Sequence, residues 1–305
     1  MVAKLVAALP PERIDLLQPD PEVASVVMKC GRSKTRISGF PAGAFPPVTN
    51  VEGQMLKFTS GDLARAISLV APFAAFKDTS RPVLLGVNLS GDPAKPGVIT
   101  WVSADGFRLT VYDCPVEGAL EGSPVIPAVA LLQAGKLLKK VKPEEIVDMI
   151  VGPVSVSLSF GDTDFRSQRI AGTFPNYKQL IPDSGTTVVT ISAEVFAGAV
   201  KRASLIANDG SGIVRLCVGA LIPGVLEVSA VAQDTGEITD EIEAQVTGES
   251  NAKIAANSYY LSSCLAAVGE GEIKMSLSTP SSPMRFDHSE IPGYLHVIMP
   301  MFVQW

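Results

Sequence analysis

The segment SGDLARAISLV at 60–70 returns in altered letters as SAEVFAGAVKRASL at 192–205. GVITWVSADGFRL at 97–109 returns as GVLEVSAVAQDTGEI at 224–238, and VIPAVALLQAGKLL at 125–138 as KIAANSYYLSSCLAAV at 253–268. Recurrence of several segments in one order is the strongest constraint in the sequence. It demands a molecule built from copies of one unit that bury their apolar faces against one another. A further feature occurs three times: GFPAGAFPPV ending at Val48, GTFPNYKQLIP at 172–182 and EIPGYLHVIMP at 290–300. Phe45-Pro46, Phe174-Pro175 and Ile291-Pro292 mark it, and Tyr177 and Tyr294 align in the last two copies.

Each full copy reads as helix, strands, helix, strands. Leu63, Ala66, Ile67 and Val70 form an i, i+3, i+4, i+7 stripe behind an N-cap candidate at Ser60. Ser192 caps the equivalent helix, with Glu194 in its first turn and Phe196, Ala199, Val200 and Ala203 on its apolar face. VLLGVNL, VITWV, VSVSLSF, VVTIS, VLEVSAV and IKMSLS read as strands. Ahead of Phe45 there is one helix, expected over Val2–Leu9, and the strands around SVVMKC and KTRIS. That is the second half of a unit, so the chain is expected to begin in mid-domain. The expected domains are 1–49, 50–182 and 183–305.

No apolar run reaches the ~18 residues of a membrane span. Cys30, Cys114, Cys217 and Cys264 stand far apart with no CxxC pair, which reads as reduced core thiols rather than a zinc site or disulfide frame. Catalysis finds little support. The histidines are His288 and His296, both near the end, and no GxSxG, HExxH, GxxxxGK[ST] or GxGxxG is present. Asp162 and Asp164 in GDTDF, and the NDGSG run at 208–212, read as turns. No cofactor and no metal are expected. The sequence ends HVIMPMFVQW, with several large apolar side chains where chain ends are usually polar. That tail either packs into a core or forms a surface for something else to cover.

The segments GRSKTRISGFPAGAFP (31–46), RPVLLGV (81–87), SADGFRLTV (103–111), GTFPNYKQLIP (172–182) and VIMPM (297–301) resemble the bacterial DNA polymerase III beta subunit, the sliding clamp family. The resemblance covers essentially the whole chain, in family order. It implies an α+β DNA-clamp fold of repeated domains, with inner helices and outer antiparallel sheets. It also implies a head-to-tail dimer that encircles duplex DNA as a non-catalytic processivity factor in the cytoplasm, associated with the nucleoid. Here the first half of the first domain is absent from the sequence. The implied partners are double-stranded DNA without sequence preference, the DNA polymerase III alpha subunit, the clamp loader and other proteins with clamp-binding motifs, and no membrane.

The resemblance places a peptide cleft between the second and third domains. Position by position it comprises Leu84, Gly106, Arg108, Leu109, Pro175, Gln179, Leu180, Asn257, Tyr260, Ser282, Val297, Ile298, Met299, Pro300 and Met301. Read without the family, DGFRL is a strand turn and VIMPM a core strand. The chain departs from the family pattern at Ala104, where many clamps carry Thr, at Phe107, where they often carry His, and at Phe302–Trp305, which replaces a short basic-apolar ending. A formal charge of −6 repels a polyanion, whereas the resemblance implies a clamp that encloses DNA and therefore positive charge gathered on its pore-facing helices. The candidates are Lys4, Arg65, Lys136, Lys139, Lys140, Lys201 and Arg202. Ring closure is expected to pair Lys34, Thr35 and Ile37 on an edge strand with Leu205, Ile206 and the strand from Ile213 of a second copy. Thr35 stands where some relatives carry a large apolar residue. Two alternatives differ in class: a hydrolase, which lacks a nucleophile and base here, and a clamp-like peptide-binding scaffold that forms no closed ring.

Overall fold

The computed structural model describes residues 1–20, 23–45, 50–183, 185–219 and 224–305. The chain divides into two units, 1–50 and 51–305. Pro46, Pro47 and Val48 of the first GFPAGAFPPV motif lie outside the described residues.

In the first unit, helix α1 (Val2–Ala7) precedes strands β1 (Ile14–Leu17), β2 (Ser25–Cys30) and β3 (Ser33–Ser38). The helix stops two residues short of the expected Leu9. Ala8 and Leu9 donate to Leu5 and Val6, tightening the last turn before Pro10 and Pro11, which cannot extend it. The strands form an antiparallel sheet in the order β1-β2-β3. Val27, Met28 and Cys30 of β2 are buried, whereas no residue of α1 is.

The second unit holds two copies of one pattern. The first runs β4 (Gln54–Thr59), α2 (Ser60–Val70), β5 (Gly86–Gly91), β6 (Val98–Ala104), β7 (Arg108–Pro115), β8 (Val125–Pro127), α3 (Ala128–Leu138), β9 (Ile146–Val151), β10 (Ser155–Phe160) and β11 (Thr163–Gln168). The second runs β12 (Thr187–Ser192), α4 (Ala193–Asn208), β13 (Ile213–Val218), β14 (Val225–Ala232), β15 (Gly236–Glu243), the extra strand β16 (Gln245–Gly248), β17 (Lys253–Asn257), α5 (Ser258–Val268), β18 (Glu272–Leu277), β19 (Met284–His288) and β20 (Tyr294–Ile298). The expected stripes are buried in both: Leu63, Ala66, Ile67 and Val70 on α2, and Phe196, Ala199, Val200 and Ala203 on α4. The first stripe packs in one core with Phe58, whose ring meets the edge of Trp101 at 6.2 Å between centroids. Helix α2 packs on α3, α4 on α5, and α2 meets α5, so the four helices form one layer.

The sheets show how the copies join. Strands β11-β10-β9-β4 and β15-β14-β13-β17 form separate four-stranded sheets. The remaining nine run β16-β12-β18-β19-β20-β7-β6-β5-β8, so the second copy's last strand hydrogen-bonds to β7 of the first. This β7–β20 seam makes one sheet out of two domains.

Three sequence expectations need correction. Thr59, not Ser60, caps α2: its hydroxyl accepts the Asp62 N–H at 3.1 Å and donates to the Asp62 carboxylate at 2.7 Å. Ser60 is buried and donates to the Lys142 carbonyl at 2.6 Å, a close approach that a larger side chain would block. Within VLLGVNL, residues Pro82–Leu85 form a 3-10 turn, and the strand starts at Gly86 because Pro82 sets a helical φ at the turn's start. Finally, 172–182 and 290–300 are not equivalent in space. The former is a loop with one 3-10 turn after β11, whereas the latter is the β19–β20 turn followed by β20 itself. Pro292 precedes Gly293 at φ 77°, where the turn requires the left-handed region.

Candidate functional site

The seam positions most of the candidate cleft. In register, Leu109 faces Val297 and Arg108 faces Ile298. Past the last strand, the Met299 N–H donates to the Phe107 carbonyl at 2.8 Å and the Met301 N–H to the Ala255 carbonyl at 2.8 Å. Pro300, with no N–H to place, sits between these two anchors. The segment 299–301 therefore bridges the turn before β7 and the free edge of β17.

Leu84, Leu109 and Val297 are brought together in a second apolar cluster, with Val102, Val125 and Phe174. All three are buried, so they form a floor rather than an exposed wall. The rim is open: Leu180 is 50% and Met299 40% exposed. Pro175 and Gln179 are exposed beside it in the chain. Ile298 is fully buried in the main core and has no surface to offer. Phe174 marks a repeat in the sequence and proves to be the aromatic ring of this floor.

The turn before β7 is held by its own side chains. Asp105 accepts the N–H groups of Phe107 and Arg108 at 2.9 and 3.0 Å. Gly106 has φ 94°, and a Cβ there would come within 3.0 Å of the Arg81 guanidinium. Arg108 is only 6% exposed. Its Nε donates to Asp105 at 2.8 Å and its Nη1 to the Ser263 hydroxyl on α5 at 2.6 Å. The guanidinium carbon lies 4.9 Å from the Phe73 centroid, 5.3 Å from Tyr259 and 4.8 Å from Tyr260. Such a cation, boxed by three rings and a carboxylate, bolts the turn to α5. Phe107 stacks on Tyr260 at 6.1 Å, beside a cleft of about 430 Å³ that Asn257, Tyr259, Phe76 and Asp105 also line. Asn257 caps α5, its side-chain oxygen accepting the Tyr259 and Tyr260 N–H groups. Ser282 bonds to Thr279 within its own turn, and no described contact ties it to this cleft. Phe73, Tyr259 and Ser263 went unforeseen. Only Tyr259, adjacent to Tyr260, carries a sequence signal.

Acid–base chemistry has no foothold at the histidines. His296 is fully buried, with Nδ1 2.6 Å from the Thr110 hydroxyl and its ring 4.6 Å from Phe73. Burial, reinforced by the Arg108 charge, lowers its pKa to about 3. His288 donates from Nε2 to the Glu270 carbonyl and accepts the Glu290 N–H at Nδ1. Asp164 accepts from Ser159 within the β10–β11 hairpin. Among the described residues no group of three or more His, Cys, Asp or Glu could hold a metal, and all four cysteines are free and buried.

Arg65, Lys136, Lys139, Lys140, Lys201 and Arg202 are exposed on or just beyond α2, α3 and α4, and Lys4 is exposed on α1 in the other unit. Arg202 is tied down: its Nε lies 2.9 Å from the Asp240 carboxylate on β15. For ring closure, β3 is an edge strand carrying Lys34, Thr35 and Ile37. Leu205 is 68% exposed on α4 and Ile206 half-buried. The strand from Ile213 is not an available edge, because β13 is bonded on both sides, to β14 and β17. The free edge near α4 is β15.

At the tail's end, Phe302 is 92% exposed, while Trp305 lies 5.8 Å from the Arg215 guanidinium and 5.6 Å from the Lys253 ammonium. It therefore rests beside the cleft, on the sheet of the second copy.

The family model of the DNA polymerase III beta subunit central domain matches residues 57–176, and that of its C-terminal domain matches 178–302. The beta sliding clamp of Caulobacter vibrioides is 28% identical over 91% of this chain and 74% of its own length. That of Synechocystis is 27% identical over 92% of this chain and 74% of its own. The beta subunit structure of Thermotoga maritima superposes with a TM-score of 0.82 at 27% identity, covering 99% of this chain and 80% of that one. Two consecutive domain models and these relatives agree with the two-copy architecture and its joined sheet: the chain belongs to the DNA polymerase III beta subunit family.

Proposed function

We propose that this chain is a sliding clamp, a non-catalytic processivity factor of DNA replication that surrounds duplex DNA and tethers a replicative polymerase. The β7–β20 seam carries the reading, because it unites two domains in one sheet and sets an apolar floor with a Met-bearing rim at their junction. Flexible Met side chains over an apolar floor suit short peptides from several partners. Those partners are the polymerase alpha subunit, the clamp loader and other clamp-binding proteins. The domains are 1–49, 50–182 and 183–305. The exposed basic residues of the helix layer would meet phosphates without reading sequence.

The copy symmetry suggests how a ring closes. Strands β3, β11 and β20 end their copies, and β15 holds the place of β7. Transferring the β7–β20 register to β3 and β15 of a second chain sets Thr35 opposite Ile238 and Arg36 opposite Glu237. Lys34 and Arg36 on one edge and Glu237 and Glu241 on the other give opposite charges across that pairing. A peptide-binding scaffold without a closed ring is the second reading, favoured by the absence of any buried residue in α1.

Primer extension on a long template with a bacterial replicative polymerase and clamp loader tests the function. Longer products per binding event support it; unchanged product length with this chain present overturns it. Sedimentation at several concentrations separates the readings, a dimer supporting the ring and a monomer throughout the scaffold.

A further inference from the structure

We propose that Trp305 is a positioning residue for the candidate peptide cleft, holding the rim methionines in place through a strap on the sheet of the second copy. The inference rests on the cleft reading and adds a residue outside it.

The rim segment 299–301 is held by two backbone bonds, to Phe107 and to Ala255. Ala255 lies on β17, an edge strand, so the Met301 bond covers part of an otherwise open ladder. One such bond is a weak hold on a chain segment, since each exposed backbone bond opens readily. The strap supplies a further hold three and four residues past Met301. The Arg215 Nη2 donates to the Gln304 carbonyl at 3.2 Å, and the Trp305 ring receives both Arg215 and Lys253 on its face at 5.8 and 5.6 Å.

The two cations come from adjacent strands. Arg215 of β13 pairs in register with Ala255, and Lys253 stands two residues before Ala255 on β17. Ala255 is thus the place where the backbone anchor of Met301 and the cation pair beneath Trp305 meet. An indole spanning two cations fixes the tail's direction as well as its attachment, because the ring must present its face to both. Phe302, 92% exposed, gives no such hold. Met299 and Met301 therefore lie on a short span fixed at both ends, which limits the shapes the rim adopts and lowers the ordering cost when a peptide docks.

The test uses the full chain and a fluorescent pentapeptide bearing leucine and terminal phenylalanine anchors. Trp305→Ala should weaken binding by about three- to fivefold, the size of an exposed cation–π contact. Trp305→Phe, which keeps a ring face, should recover most of the affinity. Hydrogen exchange at the Met301 amide should accelerate in Trp305→Ala while the β7–β20 amides stay protected, a local change that general destabilisation would not give. Wild-type affinity in Trp305→Ala, or an unaltered Met301 exchange rate, overturns the strap. Failure of the unaltered chain to bind the peptide overturns the cleft reading itself, and the strap's role in binding with it.

Discussion

The β7–β20 seam and the free edges β3 and β15 hold equivalent places in the repeated unit, yet their chemistry is opposite. At the seam, Leu109 faces Val297 and Thr110 faces His296, all four buried. On the free edges, Lys34 and Arg36 of β3 and Glu237, Thr239 and Glu241 of β15 are exposed, while Thr35, Ile37, Ile238 and Asp240 are half-buried and Ile242 is buried. A permanent pairing within one chain tolerates an apolar ladder, because it is never left open in the folded state. An edge that must stay soluble until a partner arrives needs charge, which blocks indiscriminate strand addition. The difference teaches that the joint within the chain is apolar and fixed, whereas the proposed joint between chains would be a charged one.

The largest effect should come from putting a charge into the fixed form. Val297→Asp buries an unpaired carboxylate opposite Leu109 and should cost about 3 kcal/mol or more, read by urea unfolding. The same change at Thr239 on the free edge should alter stability by less than about 0.5 kcal/mol. Equal losses at the two sites would erase the contrast.

Acid should next separate them. The folded pKa of His296 lies below the ordinary 6.5, at about 3, so the unfolded chain takes up the proton first as pH falls. Its stabilising contribution is complete above about pH 6.5 and is lost progressively down to about pH 3, at about 1 kcal/mol per pH unit. Replacing His296 with Asn should flatten that part of the profile. An unchanged acid profile in the variant would show that the seam histidine does not titrate as its burial implies.

At the rim, Met299→Asp should weaken binding of an apolar pentapeptide by more than about 1 kcal/mol in calorimetry, with little change in thermal stability because Met299 is 40% exposed. Undiminished binding would move the peptide site elsewhere. The smallest effect belongs to the charged edges. Arg36→Glu should weaken self-association by about 0.5–1 kcal/mol, and Glu237→Arg in the same chain should restore it. Sedimentation at low salt reads both changes. A double variant no better than the single one would break the transferred register.

Much of this architecture was legible because it is periodic. The α2 and α4 stripes, the Gly-Val that opens GVITWVSA and GVLEVSA, and the order of segments all report packing that each copy repeats locally. Two repeated letters misled. FP at 174–175 and IP at 291–292 share proline for different reasons, the first beside an aromatic floor and the second before a left-handed glycine turn. Neighbouring hydroxyls at Thr59 and Ser60 cannot be ranked as caps without knowing that the 142–145 loop lies against Ser60. The deepest gap concerns Arg108. A cation in a turn looks like a ligand contact, and its burial among Phe73, Tyr259 and Tyr260 depends on residues far apart in the chain. Which edge strand is free is likewise a property of the sheet order and not of any segment, as β13 and β15 show.

The joined sheet also sets a schedule for synthesis. Thr110 and His296 are 186 residues apart, so β7 emerges from the ribosome long before the strand that completes it. Until then the first copy exposes the ladder of β7, with the apolar faces of Leu109 and Val111 beside it. Long-range strand pairing is slow, and open apolar edges during translation invite association with other nascent chains. A nonsense codon between 169 and 192 would release a product with α2 and α3 of the first copy made and β7 left as an adhesive edge. For this protein, chaperone demand should therefore rise with the time spent translating its second copy.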